Sequence, residues 1–380
     1  MINGGKLIAR GSNSCVFKPS IPCNDNIKPS IKRVSKIIYD EDAEDMIKDE
    51  QKQTNLILKI KDYENWAIVF DTFCESPKYS KLLKYDEKGI NECIQENTRE
   101  ENINNIEKTF DNFNSQMLNG MAGGITLFDY FLKNFNNIKS IKKLNKEYLK
   151  LIKMMKPLFI GLKEMYRHGV IHNDIKYNNI VLHNNNFKYI DFGLANYIEN
   201  KKHFKKRSIS ESKTDRIYVF YPIEYIFFHI NIFRINNVMK NIKNKSNFDH
   251  YSALFKSFNK IPITTIHKVM KSLLKKEINE EEMISKIDVY SVGSLLPLLL
   301  NIVPINESLI KGSKIIQESL LLCKDMCEPL CSERINGEEA YERYNELIHK
   351  LQHKKKTKKK TKKKTKKKTK KKQKRKRINQ

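Results

Sequence analysis

The sequence predicts an α+β fold, with strands gathered near the N-terminus, helices over most of the remainder, and a disordered basic tail. Three observations predict it. Residues 6–38 read as strands around a tight turn, KLIARGSNSCVF and then, after a Pro-bearing link, IKRVSKIIY. Leu144–Arg167 places Leu144, Tyr148, Leu151, Ile152, Met155 and Phe159 at helical spacing, with Pro157 to kink the helix and Gly169 to end it. Lys354–Arg377 is a (TKKK)n tract that cannot build a core and repels itself.

Between these landmarks, EDAEDMIKDEQKQTNLILKI reads as an acidic helix with Met46, Ile47, Thr54, Ile57 and Leu58 as a rough apolar stripe. Residues 62–116 are polar, with a strand expected over Trp66–Phe70 beside an inserted segment. Gly120–Gly124 is a glycine-rich break. Residues 226–280, rich in Lys, Asn and Phe, read mostly as a helical insertion. Val289–Val303 is the most apolar run, too short to span a bilayer and interrupted by Ser, Gly and Pro, so a buried helix is expected. Glu338–Leu347 reads as a final helix behind Asn336 and Gly337.

The chain has 380 residues and a net charge of +28. Lys354–Arg377 holds 19 Lys/Arg and no acid, which leaves +9 for the rest, so the folded body is only moderately basic. That tail would attract nucleic acid phosphates without sequence preference, or act as a nuclear-import or anionic-surface tag. No aromatics interleave, so base stacking is not expected. The seven cysteines are scattered. Cys15, Cys23, Cys74 and Cys93 have no paired spacing, and Cys323, Cys327 and Cys331 recur every four residues, on one side of a helix unless Pro329 breaks it. The expectation is buried or half-buried thiols in a reducing compartment, with no zinc site. MINGGKLIARGS lacks the apolar core of a secretory signal, and a soluble intracellular protein is expected.

The chemistry concentrates in Ile171–Gly193, IHNDIKYNNIVLHNNNFKYIDFG. Asp174 can accept a hydroxyl proton. Lys176 follows two residues on, Asn179 offers an amide that can bind a metal, and Asp191 opens Asp-Phe-Gly after a short strand. These parts suit phosphoryl transfer from ATP with Mg2+, whose transition state is helped mainly by positioning and charge.

HNDIKYNN followed by DFG resembles the H-R-D-L-K-x-x-N and D-F-G pair of protein kinases, in order and at their spacing, and the likeness runs from about Gly4 to about Leu347. The Lys- and Asn-rich style and the phrases CVFKPSIPC and YPIEYIF are most similar to serine/threonine kinases of large nucleocytoplasmic DNA viruses. The resemblance implies a bilobal fold. Residues 1–119 would form a small sheet-rich N-lobe with an insertion over about 62–116. Residues 120–349 would form a larger helical C-lobe with an insertion over about 226–280, and 350–380 the tail.

The resemblance also assigns roles. Asp174 becomes the catalytic base and Lys176 neutralises charge on the moving phosphoryl group, while Asn179 and Asp191 bind Mg2+ through oxygen. His172 packs and orients. Asn173 stands where the family usually has an arginine that pairs with a loop phosphate, so activation without that pairing is implied. Lys36 grips the α- and β-phosphates, with Glu50 as its ion-pair partner and Glu44 as a rival. Ala9, Gly11 and Ser14 fall on the three glycine positions of the phosphate loop, and only the middle glycine survives. NGMAGG resembles the hinge, with Leu118 as gatekeeper, Asn119 and Met121 offering backbone groups to adenine, and Val16 and Val181 closing on the ring. Leu194–Tyr221 would be the activation segment, with Ser208, Ser210, Ser212 and Thr214 as autophosphorylation candidates. Pro222 and Glu224 follow it, Asp288 would tie a helix to the catalytic loop, and Arg334 would pair with Glu224.

The expected function is transfer of the ATP γ-phosphoryl group to Ser or Thr of protein substrates, the preference resting on Lys176 and the resemblance. The alternative is a pseudokinase or scaffold tethered to nucleic acid by the tail. The expected location is the host cytoplasm, nucleus or virion, if the protein is viral.

Overall fold

The computed structural model describes residues 5–11, 14–23, 29–98, 103–112, 114–213, 218–227, 248–258, 262–275 and 277–352. Five strands, β1 (Lys6–Arg10), β2 (Ser14–Lys18), β3 (Arg33–Ile38), β4 (Phe70–Glu75) and β5 (Gln116–Met121), form one antiparallel sheet ordered β1-β2-β3-β5-β4. Side chains alternate across it. Ile38 and Leu118 face α1 (Ala43–Leu58), packing on Ala43 and Ile47. Cys15, Phe17, Ile37 and Met117 face the other way. There α2 (Tyr79–Thr98) and α3 (Ile103–Asn112) cover them with Tyr79, Leu82, Ile90 and Phe110. Helices therefore pack on both faces of the sheet, while edge strand β1 stays largely exposed.

Glu44 and Asp45 in the first turn of α1 complement the helix dipole. Its buried stripe is Ala43, Ile47, Glu50, Thr54, Leu56 and Ile57, so Met46 and Leu58 of the expected stripe lie outside it. The expected strand over Trp66–Phe70 is displaced to Phe70–Glu75. Trp66 and Ala67 sink instead into the helical core, where the Trp66 carbonyl accepts from Tyr189 N at 2.9 Å.

Helices make up most of the rest. Thr126 and Ser140 cap α4 (Leu127–Phe135) and α5 (Ile141–Met154), each accepting a backbone N–H with its side chain. The single helix expected over Leu144–Arg167 is two helices. Pro157 lies in the first turn of α6 (Lys156–Arg167), where a missing N–H costs nothing, so it starts a helix rather than kinking one. Gly169, at φ 63°, reverses the chain into β6 (Val170–Ile171). The hairpin β7 (Ile180–His183) and β8 (Asn186–Tyr189) follows, and β9 (Asn196–Tyr197) pairs back onto β6.

Then come α7 (Lys201–Lys213), α8 (Ile223–Phe227), α9 (Phe248–Ser257), α10 (Pro262–Leu274), α11 (Glu280–Ser285), α12 (Ile287–Ile302), α13 (Glu307–Gly312), α14 (Lys314–Met326) and α15 (337–352). The apolar run lies in α12 and is buried, and no described helix is long and apolar enough to cross a membrane. Within the expected insertion, 228–247 lie outside the described residues, as do Thr214 and the tail at 354–377.

The expectation of free thiols fails for four of the seven cysteines. Cys15 on β2 is bonded to Cys93 on α2, and Cys23 to Cys74 on β4, at sequence separations of 78 and 51. Local spacing carries no trace of such pairs, and cysteine usage gives no argument for a reducing compartment. Cys323, Cys327 and Cys331 are free and buried. Since α14 ends at Met326, before Pro329, Cys331 is not on its face. Burial pushes the Cys323 thiol up to about 12 and Cys331 up to about 11.

One fully buried ion pair crosses the helical region. Arg334 Nη2 donates to Glu224 Oε1 at 2.7 Å, and its Nε and Nη2 donate to the Glu328 carbonyl at 2.9 and 2.7 Å.

Unfolded without reductant, the chain should titrate three thiols with dithionitrobenzoate, and seven after reduction. Seven before reduction would remove both disulfides. Arg334→Ala should lower the urea-unfolding free energy by about 3–5 kcal/mol, because a buried carboxylate loses its directly hydrogen-bonded charge partner. A loss below about 1 kcal/mol would contradict this reading.

Candidate active site

The β7–β8 hairpin brings two oxygen donors side by side. Its turn residues Asn184 and Asn185 have φ of 49° and 61°, the left-handed pair that a two-residue hairpin turn demands and asparagine tolerates. Asn179 precedes the hairpin and Asp191 follows it, and Ile190 N donates to Asn179 O at 3.0 Å. Both side-chain hydrogen bonds of Asn179 use Nδ2, toward the Asp174 carbonyl at 3.0 Å and Asp174 Oδ2 at 2.8 Å, which leaves the amide oxygen for a cation. Asp191 sits at φ 64° with its side chain 42% exposed. Desolvation alone would raise its pKa. The charges of Lys36, His172 and Lys176 outweigh that and hold it below the ordinary value, so it is ionised. One carboxylate and one amide oxygen fit Mg2+, which keeps several of its waters.

Lys36 bridges the sheet to this loop. Its Nζ donates to Glu50 Oε1 and Oε2 at 3.0 and 2.9 Å and lies 3.8 Å from Asp191 Oδ1. Between the two rivals the geometry selects Glu50, since Glu44 is exposed. Burial would lower the Lys36 pKa, but Asp191 and Glu50 outweigh it and the ammonium titrates above its ordinary 10.5. Burial pushes Glu50 up, against the pull of Lys36. A cavity of about 520 Å³ is lined by Lys36, Glu50, Asp174, Asp191, His203 and Arg207 among others.

Asp174 stands on a loop anchored from below. Asp288 Oδ2 and Oδ1 accept from His172 N at 2.6 Å and Asn173 N at 3.0 Å. His172 Nε2 meets the Ile190 carbonyl at 3.1 Å, linking this loop to the one carrying Asp191. Asn173 lies at φ 60°, a conformation its short amide suits. Lys176 Nζ donates to Asp174 Oδ2 at 2.8 Å. The structure thus gathers Lys36, Glu50, Asp174, Lys176, Asn179 and Asp191 into one cleft.

The remaining expected residues fall around it. Val16 pairs with Lys36 and Ala9 with Val16, and Gly11 N donates to Ser14 O at 2.8 Å. Val181 is buried beneath the 122–126 link. Asn119 and Met121 lie within β5, which takes in the first two residues of the expected glycine-rich break and ends there, leaving 122–124 as the irregular link. Gly120 is needed there, because a Cβ would meet the Val69 carbonyl at 2.8 Å. The Asn119 side chain turns to the outer face, onto the Ile21 carbonyl at 3.2 Å.

Of the expected autophosphorylation candidates, Ser208 is fully buried and donates to the Tyr225 carbonyl at 2.7 Å, which withdraws its hydroxyl from solvent. The side chains of Ser210 and Ser212 are outside the described set. Sequence reasoning missed Val34, which shares the cleft face with Lys36 by strand alternation, and it missed two tyrosines. Tyr218 donates to Asp174 Oδ1 at 3.1 Å, and Tyr221 donates to the Asn173 carbonyl. Their only sequence signal is their place in YVFYP, just before Pro222.

Residues 78–214 match the protein kinase domain family. The chain is 38% identical over 74 residues to a probable serine/threonine-protein kinase of Arabidopsis thaliana, covering 19% of this chain and 10% of that one. It is 32% identical over 68 residues to a probable serine/threonine-protein kinase of Encephalitozoon cuniculi, covering 18% and 13%. It is 42% identical over 76 residues to a dual specificity protein kinase of Dictyostelium discoideum, covering 20% and 10%. The chain therefore spans only about a tenth of the length of these curated relatives.

The charge cluster has a chemical signature. The stabilising contribution of the Lys36 ammonium is complete below the ordinary 10.5 and is lost as pH rises through its higher folded value. Competitive acetylation at about pH 8 should therefore label Lys36 far more slowly than exposed Lys48. Equal labelling by mass spectrometry would contradict the paired state.

Proposed function

We propose, from the premise that this chain is a member of the protein kinase superfamily, that it transfers the γ-phosphoryl group of ATP to serine or threonine hydroxyls of proteins. The observation that carries this reading is the convergence in one cleft of Lys36 with Glu50, of Asp191 with Asn179, and of Asp174 with Lys176. An acceptor hydroxyl would sit against Asp174, which orients it and takes its proton late in the transfer. Lys176 holds Oδ2 of that carboxylate and brings positive charge to where the phosphoryl group moves.

Lys36, fixed by Glu50, would grip the α- and β-phosphates, and Val16, Val34 and Val181 would enclose the adenine. Asn119 and Met121 would offer it backbone groups. Asp191 and the Asn179 amide oxygen would hold Mg2+, which when bound neutralises phosphate charge. The serine/threonine preference is supported by Lys176, two residues after the base, and by the likeness to two probable serine/threonine-protein kinases.

Transfer from labelled ATP with Mg2+ to casein should fall about 10²–10⁴-fold in Asp174→Ala, with nucleotide binding retained. Wild type no faster than the variant would favour a pseudokinase scaffold. Phosphoamino-acid analysis should return phosphoserine and phosphothreonine; mostly phosphotyrosine on casein would overturn the preference.

A further inference from the structure

Helix α7 carries a block of charge that the proposed transfer step does not use. Lys201, Lys202, Lys205, Lys206 and Arg207 place five cations in seven residues, with no acid among them. Helical spacing sorts them. Phe204 and Ser208, one turn apart, are fully buried and fix the inward face. Lys202, Lys205 and Lys206 are exposed, and none of the three has an ion pair among the described residues.

The helix is held beside the base. His203 Nε2 meets the carbonyl of Leu194, just after Asp191-Phe-Gly, at 3.1 Å. The Tyr225 hydroxyl on α8 donates to the Phe204 carbonyl at 3.1 Å. Arg207 Nε donates to the Tyr221 hydroxyl at 3.3 Å, and Tyr221 donates to the carbonyl of Asn173, next to Asp174. Lys206 and Arg207 therefore line the same cavity as Asp174. Most carboxylates on that cavity are already answered, Glu50 and Asp191 by Lys36 and Asp174 by Lys176. Asp49 is left facing Lys206 and Arg207. Burial holds the His203 pKa below its ordinary 6.5, so His203 is neutral near pH 7 and the excess charge belongs to Lys206 and Arg207.

We propose that the preferred acceptors are serine or threonine hydroxyls flanked by Asp or Glu, and that Lys206 and Arg207 are the specificity-determining residues that attract those carboxylates. The inference rests on the kinase reading above and names its substrate class. An acceptor takes the place of the Tyr218 hydroxyl, which donates to Asp174 Oδ1 at 3.1 Å. The Tyr218 ring lies 4.9 Å from that of Tyr221, and the Arg207 guanidinium 5.9 Å beyond it, so two rings separate the acceptor position from the cation. An extended peptide advances about 3.3–3.6 Å per residue, so about three residues from the acceptor carry it across that gap. A carboxylate arriving there meets opposite charge, and a lysine meets like charge. The tail threonines Thr357, Thr361, Thr365 and Thr369, each set among lysines, fall on the disfavoured side.

The test gives the full-length chain ATP, Mg2+ and three synthetic peptides that differ only in the residues around one serine, all Asp, all Ala or all Lys. Wild type should show kcat/KM at least about tenfold higher for the Asp peptide than for the Ala peptide, with the Lys peptide slowest. The exposed Lys206→Glu exchange replaces attraction by repulsion and should lower the Asp-to-Ala ratio by about fivefold or more. Lys311→Glu makes the same change in net charge on distant α13 and should leave the ratio as it is. Because the readout is a ratio within one enzyme, a general loss of activity does not move it. Equal rates on the Asp and Ala peptides, or a ratio that survives Lys206→Glu, overturn this inference and leave the kinase reading standing. An equal fall in Lys311→Glu overturns the assignment to α7. Transfer to none of the peptides and none to casein overturns both readings.

Discussion

The site depends on the Asp288 carboxylate. It is fully enclosed by protein, and burial pushes its pKa up, yet both of its oxygens accept backbone N–H groups from His172 and Asn173. Those two bonds hold Asn173 in the left-handed conformation from which Asp174 emerges toward the cleft. They join α12, the most buried helix among the described residues, directly to the loop that carries Asp174. A loop so fixed needs no bound ligand to take its shape. His172 extends the same support to the next loop through Ile190, so Asp174 and Asp191 share one foundation.

Against that foundation, the sheet contributes a single long reach. Lys36 leaves β3, is caught by Glu50 on α1, and ends near Asp191. One ammonium between two carboxylates is a balance of burial against attraction, and the attraction prevails for Lys36 and Asp191. Asn173 bears the opposite kind of cost. Its backbone is fully engaged, while its buried side-chain amide finds no hydrogen-bond partner among the described residues. Its suitability for a positive φ is the physical reason for it to stand there.

Much of this was readable in the sequence because the groups lie close along the chain. Asp174, Lys176, Asn179 and Asp191 occupy one loop and one hairpin, and their spacing alone brings them together. Asp288 and Arg334 were found through family landmarks. What escaped depends on long-range packing. Nothing local distinguishes Glu50 from Glu44 until the face of α1 is known. The Cys15–Cys93 and Cys23–Cys74 pairs join segments that only the fold brings together. Tyr218 escaped because a side-chain hydroxyl 44 residues from Asp174 has no periodicity to betray it. Ser208 was misread because a polar residue in a loop-like segment lies instead in α7, turned inward onto α8.

The helices on both faces of the sheet bear on the proposed phosphate loop, whose residues 12 and 13 lie outside the described residues. The hairpin of β1 and β2 is fastened from above by α2. Cys15 is bonded to Cys93, Asp86 Oδ2 accepts from Leu7 N at 2.9 Å, and Arg10 pairs with Glu92 at 2.5 Å. In a loop with three glycines, the disorder that ATP must overcome is carried into the binding step. Here Ala9 and Ser14 remove part of that freedom, and α2 removes more when the chain folds. The conformational entropy of β1 and β2 is thus lost during folding, and under the proposed function a nucleotide would meet two strands already fixed in place.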